Sequence, residues 1–110
     1  MISSDVIRGY NDTIILYLLL EKESYGYEIS KEIKELSEEK YVIKETTLYS
    51  AFNRLMKNGY IESFHKEQTY GKKRTYYKIT ESGLLYYQEK CREWELTKEV
   101  INRFIKEEFL

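Results

Sequence analysis

Proline is absent from the 110-residue sequence, and cysteine, histidine and tryptophan each occur only once. Without proline there is no forced helix break and no proline-rich linker. The single cysteine excludes an intramolecular disulfide and indicates a reducing compartment. One histidine and one cysteine are too few for a zinc site, and no nucleophile stands beside a base. We therefore expect no metal, no cofactor and no catalytic residue.

Long hydrophobic runs are also missing. The longest, residues 14–20, is far shorter than the roughly 20 residues that a membrane-spanning helix needs. The region around Met1 has neither a basic segment nor a cleavage pattern, so no signal peptide is predicted. These absences predict a soluble cytoplasmic protein that does not enter a membrane.

Charge is distributed unevenly, although the net charge is only −1. Residues 44–78 carry eight lysine and arginine side chains against three acidic ones, and the remainder has a net charge of −6. This asymmetry indicates a face suited to a polyanion, with two ordinary solvated faces as the alternative.

Periodicity and capping residues predict an ordered series of elements. The first helix covers residues 3–21, and the second, capped by Ser24, covers residues 25–38 with Ile29, Ile33 and Leu36 inward. Residues 41–43 either add a strand to the wing or pack against it. A third helix begins at Glu45 or Thr46, strands follow at residues 60–69 and 74–79, and Thr80 caps a last helix at residues 81–108. This mainly α chain with a small β-hairpin (α+β) has the order of a winged helix-turn-helix. The predicted domains are residues 1–80, for DNA binding, and 81–110, for dimerisation.

The third helix carries opposed apolar and polar faces. Leu48, Phe52 and Leu55 form the apolar stripe, and Asn58-Gly59 ends the helix. The polar side chains could read duplex DNA, and an ordinary amphipathic helix is the alternative. The candidates for base edges are Thr47, Ser50 and Asn53, and those for phosphates are Tyr49, Arg54 and Lys57.

Two other groups are candidates for DNA contact. Lys72, Lys73 and Arg74 lie at the predicted tip of the hairpin, where they could also serve only to keep an exposed strand soluble. Tyr27, at the start of the second helix, could donate to a phosphate or pack in the core.

The last predicted helix carries an apolar seam that Lys98 interrupts. A helix of this predicted length is about 40 Å long, more than one small domain covers, which predicts a homodimer. The expected interface residues are Tyr87, Cys91, Trp94, Ile101 and Ile105. Trp94 either packs at this interface or stacks, with its symmetry mate, on a planar aromatic effector. Tyr10, Ile14, Trp94 and Lys98 would line that site, and Lys98 would disfavour cations.

Four segments in this order resemble the PadR family of bacterial transcriptional regulators. They are residues 25–29 (YGYEI), residues 47–55 with Thr47-Leu48-Tyr49 and Arg54-Leu55, residues 58–61 (NGYI), and residues 73–83 (KRTYYKITESG). The resemblance implies a winged helix-turn-helix. With a single helix after the wing, the chain is similar to the short subfamily, which resembles multidrug-sensing repressors that dimerise through their first and last helices. Lys98 and the lack of a longer C-terminal domain depart from this pattern.

The expected function is a homodimeric repressor that binds an inverted-repeat operator in duplex DNA and is released by a hydrophobic aromatic effector. Two alternatives remain open. One is an effector-independent DNA-binding protein with a closed dimer interface. The other is a winged-helix module that binds protein, which the salt dependence of DNA binding would distinguish.

Overall fold

The structure, a computed structural model, describes residues 2–68 and 71–109. The helices are α1 (Ser4–Ile7), α2 (Asn11–Leu18), α3 (Gly26–Leu36), α4 (Glu45–Lys57) and α5 (Glu81–Asn102), with 3₁₀ turns at Arg8–Tyr10 and Glu107–Phe109. The strands are β1 (Ser24–Tyr25), β2 (Ile61–Glu67) and β3 (Lys73–Ile79), which form one antiparallel sheet in the order β1-β3-β2. Met1, Thr69, Tyr70 and Leu110 lie outside the described residues, so the predicted tip of the hairpin is described only from Gly71 onward. The predicted α+β winged-helix fold is confirmed.

The core lies between α2, α3, α4 and the inner face of the sheet. Phe52 of α4 is fully buried and stacks on Tyr77 of β3, with ring centroids 4.0 Å apart. Leu48 and Leu55, one turn to either side on α4, are also buried. The predicted apolar stripe of this helix is therefore confirmed, and its opposite face is left to solvent.

The short strand β1 was not predicted. Ser24 pairs with Tyr77 and Tyr25 pairs with Tyr76, so this segment is extended because it adds to the hairpin. The expectation that Ser24 caps α3 is wrong, because its buried hydroxyl donates to Glu28 Oε2 at 3.0 Å and Tyr25 occupies the N-cap position. Residues 41–43 form no strand and instead pack, with the side chains at both ends buried.

The first two predicted helices differ from the structure in their bounds. The first, predicted as one helix over residues 3–21, consists of α1, a 3₁₀ turn and α2, and the second ends at Leu36 rather than at residue 38. α2 stops at Leu18 rather than residue 21, because the chain turns to bury Leu19, whose N–H donates to the carbonyl of Leu16. Ile29 and Ile33 of α3 are buried as expected, but Leu36 is 66% exposed. Leu36 continues the apolar periodicity of Ile29 and Ile33 and was therefore predicted to face inward. Periodicity along one helix does not show how far the neighbouring elements extend to cover it.

The last helix begins as predicted and ends six residues early, at Asn102 rather than Glu108. Thr80 caps it, since its Oγ1 accepts a hydrogen bond from Gly83 N–H at 3.0 Å. Beyond Asn102, Phe104 and Ile105 are more than 70% exposed, and a helix end without tertiary packing has little to stabilise it.

Gly83→Ala should destabilise the protein. A Cβ at this position would overlap the Tyr60 carbonyl oxygen and lie 2.8 Å from Ile79 Cγ1, so we expect a loss of about 1–3 kcal/mol in the free energy of unfolding. Gly9→Ala is the control, because nothing lies within 4 Å of its Cβ, and it should be neutral or stabilising by up to about 1 kcal/mol. Denaturant unfolding measures both, and equal stabilities would contradict this account of the packing.

Candidate DNA interface

The exposed face of α4 presents a continuous polar row. Its members recur at intervals of four, three and four residues, opposite the buried stripe, and are Thr46, Ser50, Asn53 and Lys57. The sequence pattern predicted DNA contact for three of these and only a helix start for Thr46. The spacing was visible in the sequence, but the helix boundary had to be known to include Thr46.

Two other predicted residues lie on one flank of this row, toward the N-terminal helices. Thr47 is half-buried there. Arg54 reaches Asp12 on α2, with Nε 2.8 Å from Oδ2 and Nη2 2.5 Å from Oδ1. These hydrogen bonds raise the pKa of the Arg54 guanidinium above its ordinary value. Arg54 is therefore an oriented cation and not a freely moving one.

Tyr49 and Tyr27 lie together on the opposite flank, at the start of α3. The Tyr49 hydroxyl packs over Gly26, where an added Cβ would lie only 2.5 Å from it. Tyr27 is 73% exposed on the first turn of α3. No side chain caps this helix end, so its backbone N–H groups are suited to a phosphate. A pocket of about 290 Å³ opens between these groups, and Glu45 is the acidic residue among those that line it.

The basic residues of the wing do not share one environment. Lys72 and Lys73 are exposed, whereas Arg74 is partly buried, with its guanidinium carbon 4.1 Å from the Tyr25 ring centroid. Successive residues of a strand point to opposite faces, so Lys73 and Arg74 diverge. Tyr25 belongs to β1, directly before α3. Arg74 therefore packs the wing against the residue that precedes α3, and it also carries charge.

A cleft of about 480 Å³ lies between the N-terminal helices and α5, and Tyr10, Ile14 and Trp94 are among its lining residues. The Tyr10 and Trp94 rings meet edge to face, with centroids 5.2 Å apart. Burial and a hydrogen bond with Cys91 raise the pKa of Tyr87, another lining residue, to about 12.

Lys98 is the one predicted effector residue that does not line this cleft. Its Nζ lies 3.1 Å from Glu95 Oε1 and 5.8 Å from the Trp94 ring centroid. Glu93 and Glu95 do line the cleft. The geometry therefore gives no support to the expectation that Lys98 excludes cations.

The outer half of α5 and the residues just after it expose apolar side chains on two sides. Trp94, Ile101 and Ile105 belong to the predicted seam and are 43–72% exposed. A second stripe, spaced by four residues, was not predicted. Its members are Leu96, Val100 and Phe104, and they are 42–77% exposed.

Among residues 2–68 and 71–109, no three His, Cys, Asp or Glu side chains lie close enough to hold a metal ion. Within the same residues, no helix is long and apolar enough to cross a membrane.

The fold and its polar, basic face define a winged helix-turn-helix protein of the class that reads duplex DNA. Residues 15–89 match the Transcriptional regulator PadR-like family. The chain therefore belongs to the PadR-like family, whose members are transcriptional regulators and not enzymes.

Solved structures of relatives support this assignment. A transcriptional regulator from Clostridium thermocellum, Cth-833, is 67% identical with a TM-score of 0.89, over 96% of this chain and 100% of that chain. A PadR family transcription regulator from hypervirulent Clostridium difficile R20291 is 35% identical with a TM-score of 0.77, over 89% of this chain and 100% of that chain. Bacillus subtilis PadR, solved in complex with operator DNA, is 26% identical with a TM-score of 0.65, over 71% of this chain and 44% of that chain.

Two substitutions should separate base recognition from phosphate contact. Asn53→Ala removes an exposed amide from α4 and should relax base preference by about 1–3 kcal/mol. Lys73→Ala should weaken binding to every duplex and lower the salt slope by about 0.9 for each phosphate that is no longer neutralised. Both effects are measured by fluorescence anisotropy at several salt concentrations. The probes are a duplex that the wild-type protein selects from a random library and a scrambled duplex of equal length. Lys34→Ala, near the other end of α3 from Tyr27, is the charge-matched control. Equal losses on both duplexes for Asn53→Ala would contradict its assignment.

Proposed function

We propose that this PadR-like regulator is a homodimeric repressor that binds an inverted-repeat operator through α4 and the wing. The observation that carries the proposal is the division of α4 into two faces. Its apolar face builds the core, and its exposed row of Ser50, Asn53 and Lys57 is free to meet base edges and phosphates. The PadR–operator complex of a structural relative supports duplex DNA as the ligand. Residues 1–80 then form the DNA-binding head, and residues 81–110 form the dimerisation segment, which includes α5.

The shape of the chain supports a dimer. Its radius of gyration is 16.1 Å, against about 13 Å for a compact chain of this length. α5 contributes to this elongation, because its 22 residues span about 33 Å. Tyr87, in the first half of α5, packs near Tyr17 of α2, with ring centroids 6.4 Å apart. The outer half has apolar groups on both sides, which is typical of a surface that a partner covers.

Replacing Ile101 and Ile105 by aspartate should give a monomer, because two carboxylates would enter the apolar surface formed by α5 and the residues that follow it. Sedimentation velocity at micromolar concentration should show a dimer for the wild type and a monomer for this variant, which should also lose binding to a full operator. Ser82→Asp with Gln88→Asp adds the same charge at exposed polar positions of α5 and should remain a dimer. A wild-type monomer under these conditions would contradict the dimer proposal.

The cleft beside Trp94 is the proposed effector site. Its wall combines an indole, two phenol rings and aliphatic groups, which suits a flat aromatic molecule. Because one wall belongs to the head and the other is α5, which packs on the head, a ligand that separates them would alter the geometry of the DNA-binding surface. Lys98 lies outside the cleft and pairs with Glu95, so its charge gives no reason to expect neutral or anionic ligands to bind better than cationic ones.

Titration with a matched series of planar aromatic compounds should quench Trp94 fluorescence, because the indole lines the cleft. Tyr10→Ala should weaken ligand binding, since an aromatic contact is worth about 0.5–1.5 kcal/mol beyond burial. Tyr27→Ala, an exposed tyrosine on α3, should leave ligand binding unchanged. If no compound quenches the tryptophan at sub-millimolar concentration, Trp94 serves packing only and the protein is an effector-independent DNA-binding regulator.

A further inference from the structure

Asp12 and Arg54 form a two-point contact between α2 and α4. Arg54 Nε donates to Asp12 Oδ2 at 2.8 Å, and Nη2 donates to Oδ1 at 2.5 Å. Such a planar, bidentate pair fixes the orientation of the guanidinium group as well as its position. The two residues are 42 positions apart in the sequence, so the contact joins two independent elements.

The two partners differ in exposure, so the arginine of the pair faces solvent and the aspartate is mostly covered. The Asp12 side chain is 19% exposed and the Arg54 side chain is 51% exposed. A guanidinium has five N–H donors, and the contact with Asp12 uses one on Nε and one on Nη2. The donors that remain have no hydrogen-bond partner among the described residues, and the half-exposed side chain leaves them open to a ligand.

Asp12 is itself held by a buried neighbour. Asn11 is 4% exposed, and its Oδ1 accepts a hydrogen bond from the Tyr41 hydroxyl at 2.5 Å. Ile15, on the next turn of α2, is fully buried in the core. The backbone that carries Asp12 is therefore fixed relative to the core, and a carboxylate on such a backbone can fix a long side chain that contacts it.

We propose that Asp12 is a positioning residue for DNA binding, which holds the free edge of the Arg54 guanidinium toward one phosphate of the operator. The proposal rests on the proposed function, because it needs α4 to face DNA. A free arginine would lose side-chain entropy when it binds a phosphate, and one already ordered by Asp12 loses less. The carboxylate also repels the DNA backbone, so its removal has two opposed effects. Orientation should dominate on a matched operator, where the phosphate position is fixed.

The experiment compares two substitutions that remove the same charge. Asp12→Asn breaks the contact with α4. Asp5→Asn breaks an exposed pair with Arg8, whose atoms lie 2.8 Å apart in the same N-terminal segment and do not involve α4. The probes are a duplex selected by the wild-type protein from a random library and a scrambled duplex of equal length. We expect Asp12→Asn to weaken binding to the selected duplex about tenfold, the usual effect of losing a charged hydrogen bond. Its effect on the scrambled duplex should be smaller, and Asp5→Asn should stay within about threefold of the wild type on both.

A second pair of variants separates positioning from a purely structural role. Arg54→Lys keeps the charge but loses the bidentate fork, so it should weaken selected binding while leaving the salt slope unchanged. Arg54→Ala should lower the salt slope by about 1.8 for a dimer in which each head neutralises one phosphate fewer. In the Arg54→Ala background, Asp12→Asn should no longer weaken selected binding, and loss of its repulsion of the DNA backbone should leave that binding equal or slightly stronger. Asp12→Glu should restore part of the affinity. These variants keep the test decisive if Asp12→Asn does not fold, which thermal unfolding will reveal.

The inference is overturned if Asp12→Asn behaves like Asp5→Asn, or if Arg54→Ala leaves both affinity and salt slope unchanged. It is also overturned if the weaker DNA binding only follows a decrease in thermal stability. Failure of the proposed function gives a different result: the wild-type protein then shows no salt-dependent binding to any duplex.

Discussion

The first turn of α5 lies so close to the segment that follows α4 that only a glycine fits between them. Gly83 faces the Tyr60 carbonyl, and the same carbonyl accepts a hydrogen bond from Thr80 N–H at 3.0 Å. The Thr80 hydroxyl donates to the Gly59 carbonyl at 2.6 Å and accepts from Gly83 N–H at 3.0 Å. Gly59 and Tyr60 after α4, the last residue before α5 and the first turn of α5 are therefore one close-packed joint, and close-packed joints transmit displacement.

This joint explains how a site far from DNA could influence α4. One turn beyond Gly83, Tyr86 stacks on Tyr60 with ring centroids 4.2 Å apart, and further along α5 Trp94 lines the cleft. The other wall of the cleft includes residues of α2, and α2 carries Asp12, which holds Arg54. Of the two helices that form the cleft, α2 thus contacts α4 directly, and α5 contacts Gly59 and Tyr60, which follow α4. A change in their separation would reach α4 from two sides, without a longer chain of intermediate residues.

Local features of the sequence predicted most of the fold. The stripe on α4, the cap at Thr80 and the hairpin all depend on residues within a few positions of one another. The features that were missed depend on distant partners. β1 exists because Ser24 pairs with Tyr77, and Arg54 is oriented by Asp12, 42 positions away. An amphipathic pattern shows that Arg54 faces outward, but it carries no information about which acidic group comes near.

The end of α5 follows from the same distinction between local and distant contacts. Residues 103–108 contain no glycine or proline, so local propensity extended the predicted helix to Glu108. The observed helix stops at Asn102, and beyond it Phe104 and Ile105 are largely exposed in the described part of this chain. Helices are stabilised mainly by the burial of an apolar face, and propensity alone contributes little at a frayed end. In the proposed dimer, a second copy would supply that burial. The length of α5 and the assembly of two chains would then be governed by one free energy, the transfer of its outer apolar residues out of water.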